Sequence, residues 1–222
     1  MDAQFLLERT LPYLTQGVWV SIKLIIPSML LGFAGGVVLG ALRVFGSPWL
    51  RKLGDAYTAL FRGVPLVIQL FLLYYGLPKL HILLDGFSAA VLGFILCSAA
   101  YHSEYMRGAL LSIRQGQIRG AQALGFSNLE LLVSIIIPQA LRRALPGCGN
   151  EIVYLIKYSS LAYVTTCMEL SNSAMDLAGK TFRFTEVFLV AGVYYLALTS
   201  AAGAFLHWLE RKLHIPGFGN AK

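Results

Sequence analysis

Charge is what this sequence has least of. Asp, Glu, Lys and Arg make up only 13% of its 222 residues, about half the share found in a soluble domain. Such a chain cannot cover a globule with solvated side chains, which excludes an ordinary soluble protein. With 57% hydrophobic residues and a mean hydropathy of +0.66 it reads as an integral membrane protein. Cysteine is scarce too. Cys97, Cys148 and Cys167 stand singly in or beside apolar runs. No CxxC or metal-ligand spacing links them, so they read as small packing residues. The opening MDAQFLLERT holds Asp2 and Glu8 and no basic n-region, which argues against a cleaved signal peptide.

Catalytic groupings are also missing. There is no nucleophile–base pair, and His81, His102, His207 and His214 are scattered among different loops and spans. No GxxxxGK[ST] run occurs, so the chain is not expected to hydrolyse ATP by a P-loop route. A membrane-bound enzyme is therefore disfavoured, and no cofactor or metal is expected in this chain. The formal charge of +7 raises the question of nucleic acid. In a membrane protein a basic excess marks the cytoplasmic loops instead. Lipid, and no nucleic acid, is the expected surrounding.

What the sequence does have is apolar length. A helical span needs about 20 mostly apolar residues. Five segments qualify, at about 17–42, 57–77, 87–109, 145–168 and 187–209. Charge sorts the connections between them. Residues 43–56 carry a net +2, residues 104–143 a net +3, and the tail with Glu210, Arg211, Lys212 and Lys222 a net +2. Residues 1–16 sum to −1, residues 78–86 to zero and residues 169–186 to −1. This alternation places the N-terminus outside and the C-terminus inside. No repeat or linker divides the chain, so residues 1–222 read as one all-α membrane domain.

The longest inner connection is patterned. Gly120 to Gly147 reads GAQALGFSNLELLVSIIIPQALRRALPG. AQALG forms a helix closed by Gly125, a residue free to turn left-handed. In SNLE, Ser127 and Glu130 fit a capping box. LELLVSIII then continues helically until Pro138. The segment at about 114–138 thus reads as helix, glycine turn, helix, lying flat on the cytoplasmic face. Such a surface is shaped to fit another protein.

Ionisable residues within spans are costly and functional by default. Lys23 and Arg62 lie near span ends, where snorkelling or a structural pair accounts for them. Gly63 and Pro65 suggest a bent or closely packed helix start beside Arg62. Glu151 is different. At 100° per residue, Gly147, Glu151, Tyr154, Tyr158 and Thr165 share one stripe of the fourth span, flanked by Asn150 and Ser159. Polar glue between helices is one reading of the stripe. The other is a midplane site in which a carboxylate meets an ammonium or guanidinium and the phenols stack on it or bond it. Lys157 points some 120° from Glu151, so it is expected to pair elsewhere.

Several of these motifs resemble a known family in order. The pattern GQxxxAxALG, then IxxPQALRxxLP, resembles the EAA loop of permease subunits of ATP-binding-cassette importers. More narrowly it resembles the polar amino acid uptake family, of the histidine, arginine, lysine and glutamine type. FRGVPLVIQLFLLYYGLP, SEYMRGAL, GNEIVYLIKYSSLA and FTEVFLVAGVYYLAL with LERKL extend the likeness over about residues 15–213. The resemblance implies a type I importer permease fold of five helices with a cytoplasmic coupling helix, in the bacterial cytoplasmic membrane. It implies a second permease subunit, identical or not, two cytoplasmic P-loop ATPase subunits holding ATP and Mg, and an extracytoplasmic solute-binding protein.

The resemblance also assigns residues. Gly116, Gln117, Ala121, Ala123, Leu124, Gly125 and Ser127 fall in the ATPase-coupling loop. The polar stripe, read from periodicity and not from the resemblance, supplies the expected substrate residues Glu151, Tyr154, Tyr158, Asn150, Ser159 and Thr165. Two departures stand out. Arg119-Gly120-Ala121 replaces the loop's usual Glu-Ala-Ala, so the family's acidic docking residue is missing. Tyr158 replaces an Asp, leaving one carboxylate: either the ligand carries less positive charge, or the partner permease provides the main site. An ion-coupled secondary carrier or a channel subunit is the alternative, but a carrier would show inverted repeats or a chain of buried acids.

Overall fold

The computed structural model describes residues 3–213; Asp2, His214 and Lys222 lie outside that range. All regular structure among the described residues is helical. In chain order it comprises α1 (Ala3–Phe45), α2 (Pro48–Gly63), α3 (Leu66–Leu80), α4 (Gly86–Leu111), α5 (Gln115–Ala123), α6 (Asn128–Thr165), α7 (Leu170–Thr181) and α8 (Phe184–Leu213). Helices α1, α4, α6 and α8 are each long and apolar enough to cross a membrane. A fifth crossing comes from α2 and α3 taken together.

The α1–α4 pair is the spine. Gly17 and Ser21, and then Ser28, Gly32, Gly36 and Gly40, are buried at four-residue steps along α1, the two runs separated by seven residues, while Trp19, Leu30, Leu31 and Val38 point outward. Lipid offers no hydrophobic drive between helices, so small residues associate them by letting backbones come close. A methyl group built on Gly32 would sit 2.7 Å from Ser98 Cβ, and one on Gly40 2.9 Å from Met106 Cβ. One on Gly36 would run into His102 Cβ. Thus α4 answers α1 at the same four-residue spacing.

The second span is not the single helix that residues 57–77 predict. Its two arms are bent by 100°. Pro65 has no N–H to donate and pushes the preceding residue out of helical backbone; Val64 is extended, at φ −92° and ψ 130°. The break leaves carbonyls open within the membrane. The Gln69 amide donates to two of them, Phe61 O at 2.9 Å and Val64 O at 2.8 Å.

The inner connection also differs from expectation in one respect. Gly125 takes the left-handed conformation, at φ 85°. Phe126 N–H donates to Ala121 O (3.2 Å) and Gly125 N–H to Gln122 O (3.0 Å), the paired bonds of a Schellman ending. The capping box at Ser127 is complete. The helix that follows does not stop at Pro138. A π-helical turn over Leu132–Ile136, closed by Ile137 N–H to Leu132 O, absorbs the missing proline donor. The chain then runs on as α6, so there is no separate second helix lying flat. Arg143 ties α6 to the end of α4, donating to Ser112 O at 2.6 Å and Ser112 Oγ at 2.7 Å.

On the outer side, α7 is a helix that the span pattern did not predict. Glu169 caps it, accepting from Ser171 N and Asn172 N at 2.8 Å each and from Tyr195 Oη at 3.0 Å. Burial pushes its carboxyl up to about 7, against the pull of those donors. Ser21 of α1 accepts from Leu170 N at 3.1 Å, and Tyr13 donates to Asp176. Asp85 caps α4 in the same manner; the Ser88 bonds hold its carboxyl below the usual range.

Two outcomes follow. Gly36→Leu forces a side chain into the spine and should destabilise the purified protein by about 1–3 kcal/mol or more. Gly108→Leu, where an added Cβ meets nothing within 4 Å, should leave the melting temperature unchanged or raise it, since leucine is the better helix former. Equal melting of the two variants would remove the spine from the account. For topology, Ile82→Cys and Met175→Cys should react with an impermeant thiol reagent added to intact cells. Lys52→Cys and Asn128→Cys should react only after permeabilisation. The native cysteines are buried and give low background. The inverse labelling pattern would reverse the orientation.

Candidate functional site

Two surfaces carry chemistry. The first lies where α4 and α6 meet inside the membrane. Gly147 permits the approach: a methyl there would sit 2.7 Å from the Tyr105 ring. One turn on, Glu151 is only 3% exposed. Among the described residues none donates a hydrogen bond to its carboxylate or pairs with it within 4 Å. It lies within electrostatic reach of Arg62, Tyr101, Tyr105 and Tyr158.

Arg62 reaches this region from the bend of α2. Its guanidinium stands 5.2 Å over the Tyr101 ring, and Nη1 is 3.7 Å from Glu104 Oε1. Glu104 has two nearer cations, Arg43 at 2.7 Å and Arg107 at 3.1 Å. Arg43 also holds Asp55 at 2.7 Å. A structural pair at Arg62 therefore exists, but it is the loosest of the three on that carboxylate.

The predicted stripe divides. Tyr154 and Tyr158 stack with ring centroids 5.9 Å apart and planes at 15°, and remain 46% and 38% exposed. Lys157 was expected to pair elsewhere, yet its Nζ lies 5.8 Å over the Tyr154 ring. The long lysine stem brings the charge round the helix. Asn150 is exposed on α6. Ser159 and Thr165 are buried and already bonded. Ser159 donates to Ile156 O at 2.7 Å, and Thr165 to Gly86 O at 2.8 Å, pinning the end of α6 to the start of α4. The structure thus groups Glu151 with Tyr158 and Tyr154 and gives Thr165 an internal task. Sequence reasoning passed over Tyr101 and Tyr105. Their signal was present: Cys97, Tyr101 and Tyr105 recur every four residues along α4.

A buried carboxylate without an internal donor is unfavourable unless something pairs with it. An arriving ammonium or guanidinium supplies that pairing, and adjacent phenols accept, donate or stack.

The second surface is the inner loop. Ala121 is buried against Ile113, Leu131 and Met106, with Ile118 packed beside them. Gln117 is half-buried, and Gly116 and Ala123 are exposed. The Gly125 turn leaves Leu124 80% exposed, and Phe126 and Leu129 project with it. Ser127 Oγ accepts from Glu130 N at 3.3 Å, and Ser127 N donates to Glu130 Oε2 at 2.9 Å. Rigidly capped, with apolar side chains at its tip, the loop has the character of a contact surface.

Comparison with known proteins gives the family of the chain. Residues 11–215 match the family described as binding-protein-dependent transport system inner membrane component. The octopine transport system permease protein OccM of Rhizobium meliloti is 38% identical, across 96% of this chain and 90% of its own length. The probable amino-acid ABC transporter permease protein PatM of Vibrio harveyi is 35% identical, across 96% of each chain. A crystal structure of an amino acid ABC transporter with histidines superposes with a TM-score of 0.87 at 26% identity, covering 96% of this chain and 100% of its own. The chain therefore belongs to the family of inner membrane components of binding-protein-dependent transport systems.

Proposed function

We propose that this permease subunit of an amino acid ATP-binding-cassette importer carries a polar substrate bearing an amino or guanidino group, with Glu151 as the anchor for its cation. The observation that carries the reading is the Glu151 carboxylate, 3% exposed and without a donor among the described residues. Tyr158 and Tyr154 flank the ligand. One carboxylate suits a single positive charge better than two.

The chain works within a larger assembly. Tyr154, Lys157, Tyr158 and Asn150 form an exposed polar face on a membrane helix. Polar groups at that depth face a partner or a water-filled path and not lipid. A second permease subunit, identical or related, supplies the opposite wall. Two cytoplasmic ATPase subunits bind ATP and Mg and grip the inner loop, and an extracytoplasmic binding protein delivers substrate to the outer side. A secondary carrier is not favoured by the family of the chain.

Glu151→Gln keeps size and hydrogen bonding but removes the charge. Loss of a charge-assisted bond costs about 1.5–3 kcal/mol, or roughly 10- to 150-fold in affinity. Tyr158→Phe loses a neutral bond and should cost about 0.5–1.5 kcal/mol. Uptake by the reconstituted complex across a range of substrate concentrations should rank the half-saturation values in that order. Wild-type uptake by Glu151→Gln beside a crippled Tyr158→Phe would make the carboxylate structural.

A further inference from the structure

We propose that the ATPase groove receiving α5 presents a carboxylate to Arg119 and closes on the helix backbone at Gly116 and Gly120. This rests on the reading that the inner loop docks a partner ATPase.

The inward side of α5 is set by Ala121, which is buried, with Gln117 and Ile118 half-buried beside it. At 100° per residue Gly116, Arg119 and Ala123 lie within about 40° of the opposite side, with Gln115, Gly120 and Gln122 on its flanks. Each of these is exposed. Arg119 makes no ion pair or hydrogen bond with any described residue. No acidic residue occurs between Glu104 and Glu130, whereas Arg107, Arg114 and Arg119 do. Both bounding acids are committed, Glu104 to Arg43 and Arg107 and Glu130 to the Ser127 cap. The outward face of α5 is therefore cationic, with no counter-charge among the described residues.

The glycines give the second, independent observation. Each glycine within a helix costs about 1 kcal/mol relative to alanine. A Cβ at Gly116 or Gly120 would meet nothing within 4 Å, and neither backbone has a positive φ. Nothing among the described residues asks for glycine at either position. Close approach from outside does, since glycine lets a neighbouring surface reach the helix backbone. With Ala123 alongside, that face offers open backbone beside one long guanidinium, with Gln115 at its edge. Leu124 and Phe126 add apolar area at its end. A surface that comes this close strips water from Arg119, and a desolvated guanidinium needs an anion, best a bidentate carboxylate. Lipid phosphates would supply charge but have no use for the two glycines.

The test uses the whole complex, purified from its own cells by a tag on this chain. Arg119→Lys places a primary amine at the same point, and a water-soluble carbodiimide joins an amine to a touching carboxylate as an amide. Mass spectrometry should find position 119 linked to an Asp or Glu of the ATPase. Arg119→Glu should lower ATPase recovery at least about tenfold at physiological salt, and Lys placed at the linked carboxylate should restore it. Gly120→Leu should lower recovery as well. Full ATPase recovery with Arg119→Glu, or an ATPase that co-purifies without any carboxylate link to position 119, would overturn the proposal. Failure of the wild-type chain to bring down any P-loop ATPase would overturn the docking reading beneath it.

Discussion

Everything in this chain depends on how closely α1 and α4 approach. The contact works because Gly32, Gly36 and Gly40 offer only backbone where Ser98, His102 and Met106 arrive. It fixes more than distance. With positions 98, 102 and 106 of α4 turned toward α1, positions 97, 101 and 105 are turned about 100° away from it. That is where α6 lies. Tyr105 meets Gly147, and Tyr101 stands near Glu151 and beneath Arg62. The packing of two glycine-lined backbones thus sets the rotation of the helix that builds one wall of the site. The same row of α4 continues back to Gly93, which leaves room for Leu70 of α3.

Charge completes what packing begins. Glu104 gathers Arg43 from α1, Arg62 from α2 and Arg107 from its own helix. The Arg43 side chain is only 6% exposed and bonds Asp55 and Ser103 as well. Removing one partner from so enclosed a network leaves an uncompensated charge, which is far more damaging than losing a surface pair. The network also holds the end of α2 where Pro65 breaks it. Without that hold, Arg62 would have no defined position relative to Tyr101 and Glu151.

Much of this was legible in the sequence because the membrane limits the choices. Apolar length gave the spans, charge alternation gave an orientation, and Gly125, Ser127 and Glu130 marked a turn whose bonds the structure contains. Three things were not legible. Pro138 and Pro65 look alike as breakers, yet one is absorbed by a π-turn and the other bends the chain by 100°. Which happens depends on tertiary partners such as Gln69. α7 escaped because a 12-residue outer helix lacks the length of a span. Within the site, periodicity placed Thr165 beside Glu151, but only coordinates show its hydroxyl committed to Gly86. Tyr101 and Tyr105 were missed because a stripe on one helix does not reveal which neighbour it faces.

One unbroken helix, α6, runs from the capped inner loop to the proposed substrate anchor, Glu151 lying about 35 Å along it from Asn128. The two candidate surfaces are therefore joined along one helix, which Arg143 braces against Ser112. The central claim is that Glu151 is kept buried and unpaired for a ligand to complete. Electron cryo-microscopy of the assembled transporter, trapped with its substrate inside the membrane, tests this most directly. The account predicts the substrate's cationic nitrogen within hydrogen-bond distance of a Glu151 carboxylate oxygen. A substrate bound elsewhere, with Glu151 closed onto Arg62 or another protein cation, would contradict it.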